Sequence, residues 1–358
     1  MNFRILDLFC GAGGFSAGFG QNKHFQTLVG VDFNEAALQT FAHNHKKAQT
    51  IRGDLTEKSV KNAVLKACKA AKINMIIGGP PCQGFSNKGK NLGLKDERNF
   101  LFREYLSLVA ALKPELFVIE NVKNLISCAS SFFLNEIIKF AQNLGYECEF
   151  AVLNAADFGV PQSRQRAFLV GAKFKFDFSA LRHKKRVSVR DAISDLAYLN
   201  SGEGTDESAY QNAPQSPYQK ALRGRMLYNH KATNHAQIAI DKLKMIPAQS
   251  GKEFLPKNLH GKQQFQTTWG RLAWDAQSPT IDTRFDTPSN GTNSHPELNR
   301  AITPREAARL QSFADDFRFL GSKTQICRQI GNAVPPLLAK ALADGIARQF
   351  EKFETRNL

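Results

Sequence analysis

No stretch of the 358-residue chain reaches the ~18–20 consecutive apolar residues that a membrane-spanning helix needs. Its N-terminus enters a strand-like pattern at once, where a signal peptide would show a basic and then an apolar segment. The six cysteines (Cys10, Cys68, Cys82, Cys128, Cys148 and Cys327) include no CxxC pair, which argues against a zinc ribbon and a disulfide framework. Reduced thiols in a soluble, cytoplasmic protein are expected. Repeats, low-complexity tracts and clusters with metal-ligand spacing are also missing, so no metal is expected. Acidic residues are scarce: 32 Asp and Glu face 48 Lys and Arg, a net charge of +16. Such a surplus suits a polyanionic partner, nucleic acid or an anionic membrane surface, although a generally basic proteome would produce it too.

What the chain does have is alternation. Apolar strand-like runs at residues 4–9, 27–32, 73–78, 116–121, 149–155 and 166–172 are separated by amphipathic patterns such as 100–112 and 132–144. This predicts an α/β fold with a doubly wound, mostly parallel sheet. After Lys173 the pattern breaks. A basic run, His183 to Arg186, precedes a polar stretch at about 200–219 that resembles a linker or long surface loop. Periodicity stays weak to about residue 325, and helical spacing returns over 334–350. Three segments are therefore expected: 1–185 as an α/β domain, 186–325 as a smaller irregular domain, and 326–358 as an ordered tail.

Three constellations carry chemistry. In DLFCGAGGF (Asp7 to Phe15) a strand runs into a glycine-rich turn and a helix, which lets a ligand approach the backbone closely. The nicotinamide-type GxGxxG fails there, because Ser16 occupies the sixth position. Asp32 closes the next strand, where one carboxylate can accept from two ribose hydroxyls, and Asp54 follows in RGDL. The second constellation is GGPPCQGFS (Gly78 to Ser86) with IENV: Cys82 and Glu120 each follow an apolar run and face one crevice if their strands are neighbours. Glu120 should be partly buried with a raised pKa. The third is QSRQR, in which Arg164 and Arg166 alternate on one face entering a strand.

In series, DLFCGAGGF, VDFNEAA, GDL, GGPPCQGFS, ENV, QSRQR and QIGNAV resemble the motifs of the cytosine-C5 DNA methyltransferases, in the same order and over nearly the whole chain. The resemblance implies a fold of the S-adenosylmethionine-dependent methyltransferase type, with 1–185 as the catalytic and cofactor-binding domain, 186–325 as an irregular DNA-recognition domain, and 326–358 completing the first. It also implies transfer of a methyl group to C5 of a flipped cytosine in duplex DNA, with Cys82 adding at C6. Glu120 would stabilise the charged ring, and Arg166, supported by Arg164, would hold the base oxygen. Phe9, Gly11, Gly13, Gly14, Asp32, Asp54, Pro80, Leu101 and Asn332 would bind S-adenosylmethionine. Gln83, Ser86, Lys88 and Arg98 in the loop after Cys82, with Arg271 and Arg284 in the variable region, would contact DNA. Arginines of TPREAARLQSF (Thr303 to Phe313) read as scaffold. A monomeric modification enzyme paired with a restriction endonuclease is the leading expectation. A transfer-RNA methyltransferase of the same family and an inactive nucleic-acid-binding relative are the alternatives.

Overall fold

The computed structural model describes residues 2–81, 101–123, 130–260 and 267–356. Contacts divide the chain into two compact units: Met1–Asn154 with Gln165–His183 and Pro336–Leu358, and Ala155–Arg164 with Lys184–Pro335. The return to the first unit therefore begins at Pro336 and not at residue 326. The helix Lys323–Asn332, preceding that point, packs on the helix Pro304–Leu310 of the second unit.

In the first unit the order is β1 (Phe3–Leu8), α1 (Gly14–Phe19), β2 (Phe25–Asp32), α2 (Glu35–Asn44), β3 (Gln49–Arg52), α3 (Lys58–Ala70) and β4 (Met75–Gly78). There follow α4 (Leu101–Leu112), β5 (Leu116–Val122), α5 (Ser130–Asn143), β6 (Glu147–Asn154) and β7 (Gln165–Ala172). The seven strands pair in the order β3-β2-β1-β4-β5-β7-β6. The first five are parallel, and β7 runs antiparallel to both β5 and β6. Strand β3 was not expected from the sequence: QTIR is short, with no residue fully buried.

Residue alternation along β1 sorts its side chains onto two faces. Leu6 and Leu8 enter a core with Val64 and Cys68 of α3, Tyr105 and Val109 of α4, and Leu134 and Ile137 of α5. Phe3 points to the opposite face, stacking on Phe25 at 5.0 Å and meeting Phe350 edge-on at 5.1 Å. The chain winds from β1 outward to β2 and β3, then returns to place β4 on the other side of β1. That reversal opens a crevice beyond the C-terminal ends of β1 and β4. Tyr105 fixes the neighbouring pair, its hydroxyl lying 3.1 Å from the Ile76 carbonyl of β4 and 3.0 Å from that of Val118 in β5.

The second unit contains α6 (Val189–Ile193), a two-stranded antiparallel ribbon of β8 (Gly204–Ser208) and β9 (Leu227–Lys231), α7 (Pro217–Leu222), α8 (Gln237–Lys244), α9 (Pro304–Leu310) and α10 (Lys323–Asn332). The stretch expected to be a linker thus holds a strand and the start of a helix. Its β8, GTDES, buries no side chain, so no apolar signature marked it. Helix α9 starts on a capping box in which Thr303 and Glu306 satisfy each other's main-chain N–H groups, with Pro304 in the first turn. Arginines in this helix and just before it form buried ion pairs. Arg309 is ion-paired to Asp195 and Asp315 at 2.6 Å each, and Arg300 holds Glu306 at 2.7 Å, all nearly fully buried. The last helix of the chain, α11 (Pro336–Arg356), belongs to the first unit and packs on α1, where a Cβ on Gly18 would lie 2.3 Å from that of Ala339. Among the described residues no helix is long and apolar enough to cross a membrane.

Candidate active site

The loop that leaves β1 is built to keep main chain near a ligand. Phe9, Gly11 and Gly13 have φ of 56°, 53° and 91°, and the left-handed conformation favours glycine at the last two positions. Phe9, half-buried, adopts it at a steric cost of ~1–3 kcal/mol, which the surrounding hydrogen bonds must offset. Asp32, at the end of β2, holds this loop: its carboxylate accepts from the Gly11 N–H at 2.8 Å and from the Asn34 N–H at 2.8 Å. Burial raises its pKa, against the lowering effect of these N–H donors. Gly13 has a second constraint, since a Cβ there would lie 2.4 Å from the His45 ring. His45 stands 3.1 Å from the Gly13 carbonyl through Nε2, and burial depresses its pKa to about 4, so the neutral ring donates.

Beneath the loop, Ser16 donates to Asp7 at 2.6 Å and accepts from Thr27 at 2.9 Å, all three buried. The serine that breaks the dinucleotide fingerprint is thereby a tie between α1, β1 and β2. Desolvation pushes the Asp7 carboxyl up to about 7.

Across the crevice, β4 and β5 are parallel neighbours with Gly78 beside Ile119, so Glu120 emerges next to Gly79. A Cβ on Gly79 would lie 2.9 Å from Glu120 Oε2: the second glycine of GGPP leaves the room its carboxylate occupies. Glu120 is ion-paired with Arg166 of β7, Nε to Oε1 3.0 Å, with both side chains mostly buried. Asn121 donates to the Pro80 carbonyl at 2.8 Å, tying the segment that leads to Cys82 onto β5. Gly79 and Asn121 were not singled out from the sequence. The GG and ENV runs held them, but their roles depend on strand register.

Cys82, Gln83, Ser86, Lys88 and Arg98 lie outside the described residues. Pro80 is buried, Gly14 opens α1, Leu101 is half-buried at the start of α4, and Asp54 is exposed, capping Thr56 N–H at 2.9 Å. Phe33, beside Asp32, is 70% exposed, an aromatic face that the sequence reading passed over. The chemistry of this edge fits S-adenosylmethionine. Phe9, Phe33 and Leu101 offer apolar contact and Asp32 a carboxylate, while a Cβ on Gly11 would meet nothing within 4 Å, so the main chain there is open to a ligand.

Two arginine expectations are corrected. Arg164 does not share a strand face with Arg166: it precedes β7, belongs to the second unit, is buried, and donates to the carbonyls of Ile281 at 3.0 Å and Gly331 at 2.7 Å. It braces main chain, because no solvated edge is left for it. Arg271 is also buried, and its guanidinium donates to the carbonyls of Leu243, Ile246, His295 and Leu298 and to the Asn299 side chain. All five of its N–H groups are used, leaving none for a base edge. Arg284 is exposed, and Asn332 is an exposed residue at the end of α10 in the second unit.

A family model described as C-5 cytosine-specific DNA methylase matches residues 3–348. The chain is 36% identical over 97% of its length to the Type II methyltransferase M1.HphI of Haemophilus parahaemolyticus, covering 87% of that protein. It is 35% identical over 99% of its length to the Type II methyltransferase M.DdeI of Desulfomicrobium norvegicum, covering 90% of it. Among solved structures, a prophage-encoded DNA modification methyltransferase of E. coli superposes with a TM-score of 0.80 at 26% identity, over 98% of this chain and all of that one.

Proposed function

The chain belongs to the C-5 cytosine-specific DNA methylase family, and from that membership we propose how its residues carry the reaction. It is a DNA (cytosine-5)-methyltransferase that modifies cytosine in a specific sequence, the modification activity of a restriction–modification system. The observation that supports the site most directly is the Glu120 carboxylate, seated over Gly79 and ion-paired to Arg166, on the strand next to the one leading to Cys82.

Cytosine C5 is a poor nucleophile until a group adds at C6, and the Cys82 thiolate is suited to that addition. Forming the S–C6 bond pushes electron density toward N3, where Glu120 in its protonated form would give its proton to N3 while its other oxygen stays on Arg166. Arg166 fixes the Glu120 carboxylate in place and offers its remaining N–H groups to the base oxygen. S-adenosylmethionine, when bound, supplies the methyl group as an electrophile. Phe9, Phe33 and Leu101 would hold its adenosine part, Asp32 its ribose hydroxyls and the loop from Gly11 to Gly14 its amino-acid end. Pro80, Asp54 and Asn332 complete the proposed cofactor set. Transfer of the C5 proton to solvent water then lets the C5–H electrons form the C5–C6 double bond and expel the thiolate from C6, and N3 returns its proton to Glu120. The target base must leave the duplex stack for Cys82 to reach it.

Duplex DNA is the substrate, with the second unit reading sequence through exposed side chains such as Arg284, and with Gln83, Ser86, Lys88 and Arg98 as further proposed DNA contacts. The enzyme acts as a monomer in the cytoplasm beside a cognate endonuclease. Bisulfite sequencing of DNA from cells expressing the chain tests this: protected cytosines should occur in one fixed context. Label from S-adenosylmethionine appearing on transfer RNA and not on duplex DNA would refute the DNA assignment. Cys82→Ala should bind DNA and cofactor yet form no covalent adduct with 5-fluorocytosine DNA; a persistent adduct would overturn the nucleophile.

A further inference from the structure

A groove on the first unit contains none of the residues used above. Its volume is about 590 Å³, and Arg182, Arg348, Lys352 and Arg356 line it against one carboxylate, Glu351, which lies 3.7 Å from His24. Arg348, Lys352 and Arg356 recur every fourth residue of α11, so they share one helix face. The segment after β7 supplies the opposite wall, and Arg348 donates to the Ala180 carbonyl at 3.4 Å. In that segment Phe174 and Phe176 are buried while Lys173 and Lys175 are exposed, and Arg182 opens the basic run that continues to Arg186. Compensation of the helix dipole accounts for Arg356 in the last turn. It does not account for Arg348 and Lys352 further back, or for Arg182 off the helix.

The groove lies toward the far edge of the sheet. Phe350, in α11, meets Phe3 at 5.1 Å and Phe174 at 5.5 Å, at the start of β1, whereas the cofactor loop follows the end of β1. The strand separates the two by roughly 17 Å. We propose that this groove binds the phosphate backbone of duplex DNA at a stretch remote from the target cytosine, a second and sequence-independent contact. The proposal rests on the DNA-methylating reading of the catalytic edge. Cations here would hold the enzyme on long DNA without touching the methylated site.

The test is an Arg182→Ala/Lys352→Ala double variant, assayed on a duplex just long enough for the recognition sequence and on one of several hundred base pairs. Two lost phosphate contacts should make the slope of log affinity against log salt on the long duplex shallower by about 1.8. Turnover on the short duplex should stay at the wild-type value. An unchanged slope on long DNA, as expected if the groove served RNA or an acidic protein, would overturn the proposal, as would an equal loss of affinity on short and long duplexes. Failure of the wild-type enzyme to methylate either duplex would instead refute the catalytic reading.

Discussion

Gly79→Ala separates catalysis from folding in this enzyme. The added Cβ would sit 2.9 Å from Glu120 Oε2, against an ordinary contact of 3.4–4 Å. Something must retreat by about 0.5–1 Å, and the carboxylate, as the free end of a flexible side chain, moves more cheaply than either strand. Folding should therefore be little affected. The unfolded chain becomes stiffer, worth ~0.4–1 kcal/mol in favour of the folded state, and this offsets the local repacking. Catalysis should suffer, because the Arg166 ion pair at 3.0 Å fixes one position for Glu120 and misplacement by about 1 Å can cost ~100-fold in rate. The expected result is a 10- to 100-fold drop in single-turnover methyl transfer at saturating cofactor and DNA. Cofactor affinity should be unchanged, and stability to urea should stay within ~1 kcal/mol. A variant that transfers methyl at the wild-type rate would refute the seating of Glu120 over Gly79. So would a rate loss fully explained by unfolding.

Asp32→Ala removes the acceptor for the Gly11 and Asn34 N–H groups as well as the proposed ribose contact, so cofactor affinity by calorimetry should fall at least tenfold, one charge-assisted bond being worth ~1.5–3 kcal/mol. DNA binding without cofactor should barely change; unaltered cofactor affinity would contradict the role. Arg309→Leu removes the shortest ion pairs of Asp195 and Asp315 and leaves them, as cations, only Arg223 at 3.0 Å and Arg305 at 3.8 Å, so it should cost ~3 kcal/mol in denaturant unfolding, the low end for breaking a buried pair. A loss under ~1 kcal/mol would count against a buried network. Burial depresses His235 and His295 to about 4, and both rings accept main-chain N–H bonds, His235 from Ala301 and His295 from Glu297 and Leu298. The unfolded chain binds more protons than these two do between their folded value near 4 and the ordinary 6.5, so stability should rise with pH across that window and level off above it. Asp7, raised to about 7, acts with the opposite sign from 3.8 upward in the first unit, where His45 counters it. Unfolding followed by hydrogen exchange should therefore show the second unit as the more acid-sensitive; equal sensitivity would argue against it.

Local patterns were legible wherever a short segment dictates its own structure. Apolar runs marked β1, β2, β4 and β5, and the turn after β1 needs glycines for its left-handed residues. Hence Asp32 at the end of β2 and Glu120 near the end of β5 followed from sequence. Strands β3 and β8 were missed because they bury no side chain fully or none at all, and pairing through the main chain leaves no hydropathy signal.

The sequence by itself therefore determined all but one strand of the main sheet, the order of its motifs and the chemical types that follow its strands, because periodicity and backbone conformation are properties of neighbouring residues. Tertiary structure alone decided which of the similar arginines pairs with Glu120. Arg166 meets Glu120 because β7 inserts antiparallel beside β5, while Arg164, two residues earlier, spends its charge on the carbonyls of Ile281 and Gly331, and Arg271 saturates itself on four carbonyls and an amide. An arginine's role depends on which acceptors fold around it. Those acceptors come from distant parts of the chain, so neither spacing nor residue type can specify them.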